Sequence, residues 1–379
     1  VYKRQLVYVL QGITCQVLDI ETGAILKSMR MQGKPHWAYI GSSGTCLVAG
    51  AHFVKYSNLI KSKLKNKEEM KTYLENIASK NTRIGGMFDY DQSASAELVV
   101  MDRHSFEEKW RIKSNYGFIH NAIASNDKTL FCLDKMPAGL SNLLERRGIM
   151  LEGDYVLTAL NLQTGDTIWQ RDDDIFGSWL GYAEDHDILI QATRPSRDML
   201  NGEAGERMIA YRAGDGSVLW DKRFRYNNPP ILHGDKIIVE HAAYSLLTGD
   251  PIYRKDPITR EEIPWRYTRT YGCNYNVGSE HLLSFRSGAA GFYDLSTDGG
   301  TGNFGGFKSG CTSNLIAANG VLNAPDYTRT CSCSYQNQTS LSFVHMPELE
   351  FWTYNDFTWS GSQVKQLGIN FGAPGDRMA

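Results

Sequence analysis

Chemistry-bearing residues crowd into the last third of this 379-residue chain. Cys273, Cys311, Cys331 and Cys333 lie there among Arg269, Tyr271, Asn274, His281, Arg286, Asn314, Asp326, Tyr327 and Arg329. Thiols can pair as disulfides, stay reduced, or hold a soft metal as thiolates. The spacing favours two disulfides. A tetrathiolate site usually draws on Cys-x-x-Cys pairs, which this stretch lacks, and Cys331 and Cys333 stand too close in sequence to favour each other. Cys15, Cys46 and Cys132 sit in apolar strand contexts and read as core. The polar side chains admit two readings. Gathered by loops at one mouth of a ring-shaped scaffold, Arg269, Tyr271, Asn274, His281, Arg286, Asn314, Asp326 and Arg329 would line a pocket for a small molecule or a glycan. Alternatively, Arg and Tyr satisfy buried carbonyls in Gly-rich turns. These types and spacings assign no catalytic residue and no metal site.

The elements that must position such groups are legible upstream. Leu157 to Gln170, LTALNLQTGDTIWQ, reads as a strand, a turn on Thr164-Gly165-Asp166, and a second strand ending on Trp169. Gly supplies positive φ at the turn without steric cost, while Thr and Asp hydrogen-bond the local backbone. The pattern recurs at Met208 to Asp221, where Gly216 again precedes a tryptophan, Trp220, by four residues. Weaker copies carry Thr22-Gly23 with Leu26 near the aromatic's place, Trp110 without the glycine, Thr248-Gly249 ending on Tyr253, and a degenerate turn in Gly291 to Gly302. A lone hairpin buries too little surface to persist in water, so such units must stack and share a core. The tryptophan is the natural wedge between them. The intervals from Gly165 to Gly216 and on to Gly249, 51 and 33 residues, are uneven, as loop insertions in a common scaffold would make them.

One insertion is explicit. Positions 57–80 space Leu59, Ile60, Leu64, Met70, Tyr73, Leu74 and Ile77 at roughly helical intervals among Lys and Glu. It reads as a lid, a partner-binding helix, or a solvated decoration. Pro137 to Arg147 reads as a second short helical insertion.

Composition sets bounds. A formal net charge of −2, with 22% charged and 42% hydrophobic residues, gives no basic excess to attract nucleic acid. Thirty-six glycines and twenty tyrosines suit a turn-rich all-β chain. There is no transmembrane segment, because no apolar run approaches the roughly 18 residues that a spanning helix needs. Val1-Tyr2-Lys3-Arg4-Gln5 reads as residues derived from a library tag, and the chain reads as a fragment of a longer protein, cut at both ends.

The stretch Ala159-x-Asn161-x-x-Thr164-Gly165-x-x-x-Trp169, and in part Ala210, Gly216 and Trp220, resembles the repeat of pyrroloquinoline-quinone-type β-propellers. That resemblance implies an all-β propeller of about seven to eight four-stranded blades, incomplete at the chain ends, occupying 6–379 as a single domain. It further implies a periplasmic or secreted protein of bacterial type. The expected role is a binding module for a small molecule, glycan or protein, joined to other domains of the same chain. The superfamily also includes quinone-dependent alcohol and sugar oxidoreductases. That activity would bring pyrroloquinoline quinone with calcium, a catalytic Asp and commonly two adjacent cysteines. This sequence has Cys331-Ser332-Cys333 in place of a Cys-Cys pair, and no Glu-Asn-Asp trio falls at matching positions.

Overall fold

In a computed structural model, the described residues are 6–64, 66, 68–69, 71–72, 92–146, 148–195, 202–255, 259–270, 272, 275–298, 300–304, 307–308, 315–318, 320–325, 339–344 and 353–354. They form antiparallel sheets with two short helices. The chain divides into two compact units, the second beginning in the main at Trp220.

In the first unit, β1 (Leu6–Gln11), β2 (Thr14–Asp19) and β3 (Ile25–Met29) make a three-stranded sheet. A seven-stranded sheet follows in strict sequence order: β4 (Trp37–Ser43), β5 (Cys46–Phe53), β6 (Ala94–Asp102), β7 (Glu108–Ser125), β8 (Thr129–Asp134), β9 (Val156–Asn161) and β10 (Thr167–Arg171). The 18-residue β7 explains its width. Its first part pairs with β6, from Glu97↔Lys113 to Met101↔Glu108, and its last part pairs with β8, from Ile123↔Cys132 to Ser125↔Leu130. Two four-stranded groups thus share one strand. Next come β11 (Trp179–Ala183), β12 (Ile188–Ala192), β13 (Met208–Arg212) and β14 (Val218–Lys222), a four-stranded sheet whose last strand belongs to the second unit from Trp220 onward.

The second unit holds β15 (Ile231–His233), β16 (Lys236–Val239) and β17 (Ala242–Ser245) as one sheet, and β18 (Tyr253–Lys255) with β19 (Glu262–Pro264) as a pair. A further sheet contains β20 (Val277–Gly278), β21 (Leu282–Ser287), β22 (Ala289–Asp294) and β23 (Thr301–Asn303). Later come β24 (Ile316–Ala318), β25 (Val321–Ala324), β26 (Leu341–Val344) and β27 (Thr353–Tyr354), the last pairing with β23.

One turn recurs through both units. At its fifth position the backbone is left-handed: φ is 68° at Gly23, 81° at Gly165, 72° at Gly216 and 67° at Gly249, but also 65° at Phe106 and 51° at Asp298. In each glycine copy the amide of that residue donates to the carbonyl four residues back, as Gly165 does to Asn161 at 2.8 Å. The first-position side chain completes the turn. Asn161 Oδ1 accepts from the amides of Gln163 and Thr164, and Asp19, Asp102 and Asp294 do the same in their own turns.

The wedge tryptophans sit on these turns, each on the turn of the following repeat. A methyl group at Gly165 would stand 2.8 Å from Cδ2 of Trp110, and one at Gly216 would stand 2.8 Å from Cδ2 of Trp169. One at Gly249 would stand 2.9 Å from Cε3 of Trp220. Glycine therefore does double duty, admitting the left-handed backbone and leaving room for the ring. Each indole N–H donates to the carbonyl three residues before the glycine it covers: Trp110 to Leu162 (2.9 Å), Trp169 to Ala213 (2.8 Å) and Trp220 to Leu246 (2.9 Å). A buried indole without such a partner would be costly, so ring and hydrogen bond together set the register between repeats.

The weaker copies depart from the sequence reading in two places. The wedge position of the first repeat is Lys27, whose ammonium lies 4.3 Å from the ring centroid of Phe106, while Leu26 is exposed. Tyr253 is 53% exposed, and the role falls to Trp265, whose Nε1 donates to Asp298 Oδ1 at 3.3 Å.

Both insertions contain helix. α1 (Tyr56–Lys63) buries Tyr56 and Ile60, and α2 (Ala138–Glu145) buries Leu140 and Leu144, all within one core cluster of the first unit. Positions 65, 67, 70 and 73–80 of the expected first insertion lie outside the described residues.

Candidate functional site

Three of the expected pocket residues are described: Arg269, Arg286 and His281. Tyr271, Asn274, Asn314, Asp326, Tyr327, Arg329 and the cysteines Cys273, Cys311, Cys331 and Cys333 lie outside the described residues. Cys15, Cys46 and Cys132 are free and buried, as a core role requires. Burial pushes the Cys15 thiol up to about 11, which leaves it protonated and unreactive near neutrality.

Arg269 and Arg286 do come together. Arg269 Nη1 reaches the Arg286 carbonyl at 3.5 Å, and both residues are buried. Arg269 forms a fork with Glu240, Nε to Oε1 at 3.0 Å and Nη2 to Oε2 at 2.9 Å, and both side chains are fully buried. Two parallel charge-assisted bonds are the geometry in which a desolvated guanidinium and carboxylate best compensate each other. His241, at φ 66°, sets Nε2 3.3 Å from Glu240 Oε1 and Nδ1 3.2 Å from the Tyr267 carbonyl. The arrangement fastens the β16–β17 bend to the chain leading into β20. Glu240 and Arg269 thus face each other within the interior of the second unit. His281 does not join them; it is largely exposed beside Glu280. Glu240 escaped the sequence reading, although a lone Glu between the apolar run Ile237–Val239 and His241 was the available signal.

A second site lies in the first unit, beneath α1. Between the registered pairs Glu97↔Lys113 and Ser95↔Phe118 the β6–β7 ladder lapses, so Ala96 faces a bulge made of residues 114–117. The bulge is held open from behind. Asp134 accepts the amides of Asn115, Tyr116 and Gly117 at 2.5, 2.7 and 2.8 Å. From above, Lys63 at the end of α1 donates to Asn115 Oδ1 at 2.6 Å and lies 4.4 Å from the Tyr116 ring centroid. What results is a groove of about 540 Å³ lined by Phe53, Val54, Leu59 and Tyr116, with Lys55 and Lys113 among its polar lining residues.

Under its Phe53 wall the polar groups are closed off. His120 stacks on Tyr39 at 5.6 Å and meets Phe53 edge-on at 6.1 Å, with Nε2 2.9 Å from the buried Ser95 hydroxyl. Burial holds the imidazole down to about 4, so it is neutral near pH 7. Ser95 is fully buried, so the pair braces the groove and does not present a nucleophile to it. Sequence reasoning missed this groove; the signal was Ser114-Asn115-Tyr116-Gly117, a polar break with Gly117 at φ 138° inside an otherwise continuous strand.

Calcium needs several oxygen ligands. Among the described residues no three His, Cys, Asp or Glu side chains gather closely enough to hold a metal ion. No described helix is long and apolar enough to cross a membrane.

Sequential antiparallel sheets wedged by tryptophans on glycine turns define a β-propeller repeat protein. The repeats are PQQ-like: residues 89–222 and 153–251 match the family model described as outer membrane protein assembly factor BamB. Among solved structures the chain is similar to BamB from Moraxella catarrhalis, with a TM-score of 0.44 and 11% identity over 86% of this chain and 80% of that one. It is also similar to Hsv2p from Kluyveromyces lactis, with a TM-score of 0.43 and 7% identity over 77% of each chain. None of the curated proteins searched matches.

Proposed function

We propose that this protein is a binding scaffold, a PQQ-like propeller module that holds a protein partner against its surface. The observation that carries the reading is how polar groups are disposed. Arg269, one of the groups expected to line a ligand pocket, is held in a buried fork with Glu240, whereas the groove beneath α1 is apolar and carries exposed lysines. The repeat turns and wedges supply a stiff support for such surfaces. The family description, an outer-membrane assembly factor, supports a periplasmic or secreted setting and a protein partner. In this reading residues 6–379 belong to one propeller domain of a larger protein.

The test places a photo-crosslinking benzoylphenylalanine at Leu26, Ile168 or Leu219, exposed apolar residues that each immediately precede a wedge position. A discrete, identifiable protein adduct at one or more of them is expected. Absence of adducts, together with pyrroloquinoline quinone and calcium retained through gel filtration and dye-linked alcohol oxidation, would establish the oxidoreductase reading instead.

A further inference from the structure

We infer that the groove beneath α1 binds an extended peptide whose side chains alternate between apolar and acidic. The inference rests on the scaffold reading and adds the chemistry of the partner. Three features of the groove argue for it.

The first is charge. Lys55 is exposed and the Lys113 side chain is 81% exposed. The carboxylate among the described lining residues, Glu97, is already held by Arg111 at 2.6 Å and approached by Lys113 at 3.8 Å. Two lysines against one engaged carboxylate leave a positive surplus at the rim, and such a surplus selects acidic partners and steers them in.

The second is shape. Apolar walls from Phe53, Leu59 and Tyr116 lie within a basic rim. An extended chain turns successive side chains to opposite sides, so apolar residues at alternate positions reach the walls while acidic residues between them reach the lysines.

The third is rigidity and strain. His52 holds φ at 57° at the edge of the groove, a conformation unfavourable for a residue with a Cβ, and strained residues of this kind concentrate at binding sites. The opposite wall is fixed by Asp134 from behind and by Lys63 from above. The groove is therefore formed before a ligand arrives, which lowers the ordering cost of binding.

The probe is a fluorescein-labelled hexapeptide, acetyl-Phe-Glu-Phe-Glu-Phe-Glu, and its Phe-Lys counterpart, titrated by fluorescence anisotropy. The wild-type protein should bind the acidic peptide at least about tenfold more tightly than the basic one. Lys55→Glu combined with Lys113→Glu should invert that preference; because Lys113 lies across the ladder from Glu97, the variant should melt somewhat lower while keeping the wild-type circular dichroism. Lys55→Glu alone should fall between the two. No binding of either peptide at about 1 mM, equal binding of both, or a preference unmoved by the charge reversal would overturn the inference. If the peptides fail while crosslinks at Leu26, Ile168 or Leu219 persist, this inference falls and the scaffold reading stands.

Discussion

Gly216→Ala is the sharpest perturbation of the repeat lock. The added methyl group would sit 2.8 Å from both Cδ2 and Cε3 of Trp169, on a backbone at φ 72°. The left-handed conformation costs an L-residue about 1–2 kcal/mol. Displacing the indole adds roughly 1–3 kcal/mol, the usual range for overpacking. Gly23 supplies the control, because its φ is 68° and nothing lies within 4 Å of the position its Cβ would take. Gly23→Ala should therefore cost the backbone part alone, about 1–2 kcal/mol. Trp169→Ala removes the ring and leaves the Ala213 carbonyl without its indole donor, at about 3–5 kcal/mol. In the Trp169→Ala background, Gly216→Ala should shrink to the Gly23 value, giving a coupling of about 1–3 kcal/mol in a double-mutant cycle. Urea unfolding followed by far-ultraviolet circular dichroism measures all four. Additive effects at 169 and 216, or equal costs at Gly23 and Gly216, would refute the claim that the ring and the glycine are one device.

Two other predictions use the buried ionisable groups. His120 is held at about 4 in the fold against about 6.5 when unfolded, so between those values the unfolded chain binds the extra proton. Its contribution is complete above pH 6.5 and is lost as pH falls towards 4, by about 3 kcal/mol. His120→Gln should flatten that acid limb in pH-dependent urea midpoints, and an unchanged limb would contradict the assignment. Glu240→Gln leaves Arg269 buried against a neutral amide and should cost about 3–5 kcal/mol in the same assay. A cost below 1 kcal/mol would mean that the fork is solvated in solution.

The sequence declared the repeat wherever the device is built from Gly and Trp, because those residues have few substitutes: one for room and positive φ, the other for a large ring with a donor. Where other residues take the role, the pattern thinned to the weaker copies at Trp110 and at Gly291 to Gly302. Asp298 adopts the left-handed turn through its short polar side chain and receives Trp265, yet neither fits a Gly-x-x-x-Trp template. Phe106 and Lys27 replace glycine and tryptophan at the first junction with a cation–π contact that no spacing rule anticipates. The helix over Tyr56–Lys63 was legible from its apolar spacing, but the groove beneath it was not. A bulge depends on which strand residues fail to pair, and only the partner strand determines that. Arg269 and Arg286 belong to one set of candidate pocket residues in the sequence, but Glu240, which forks Arg269 from 29 residues upstream, was not legible there.

The central claim is that each wedge tryptophan rests on the turn of the next repeat, and nuclear Overhauser effects to selectively labelled indoles test it most directly. The account predicts that the indole ring protons of Trp110, Trp169 and Trp220 show cross-peaks to the α-protons of Gly165, Gly216 and Gly249 respectively, and that the three indole N–H protons exchange slowly with solvent. Rapid exchange at all three, with cross-peaks confined to residues of their own hairpins, would contradict it.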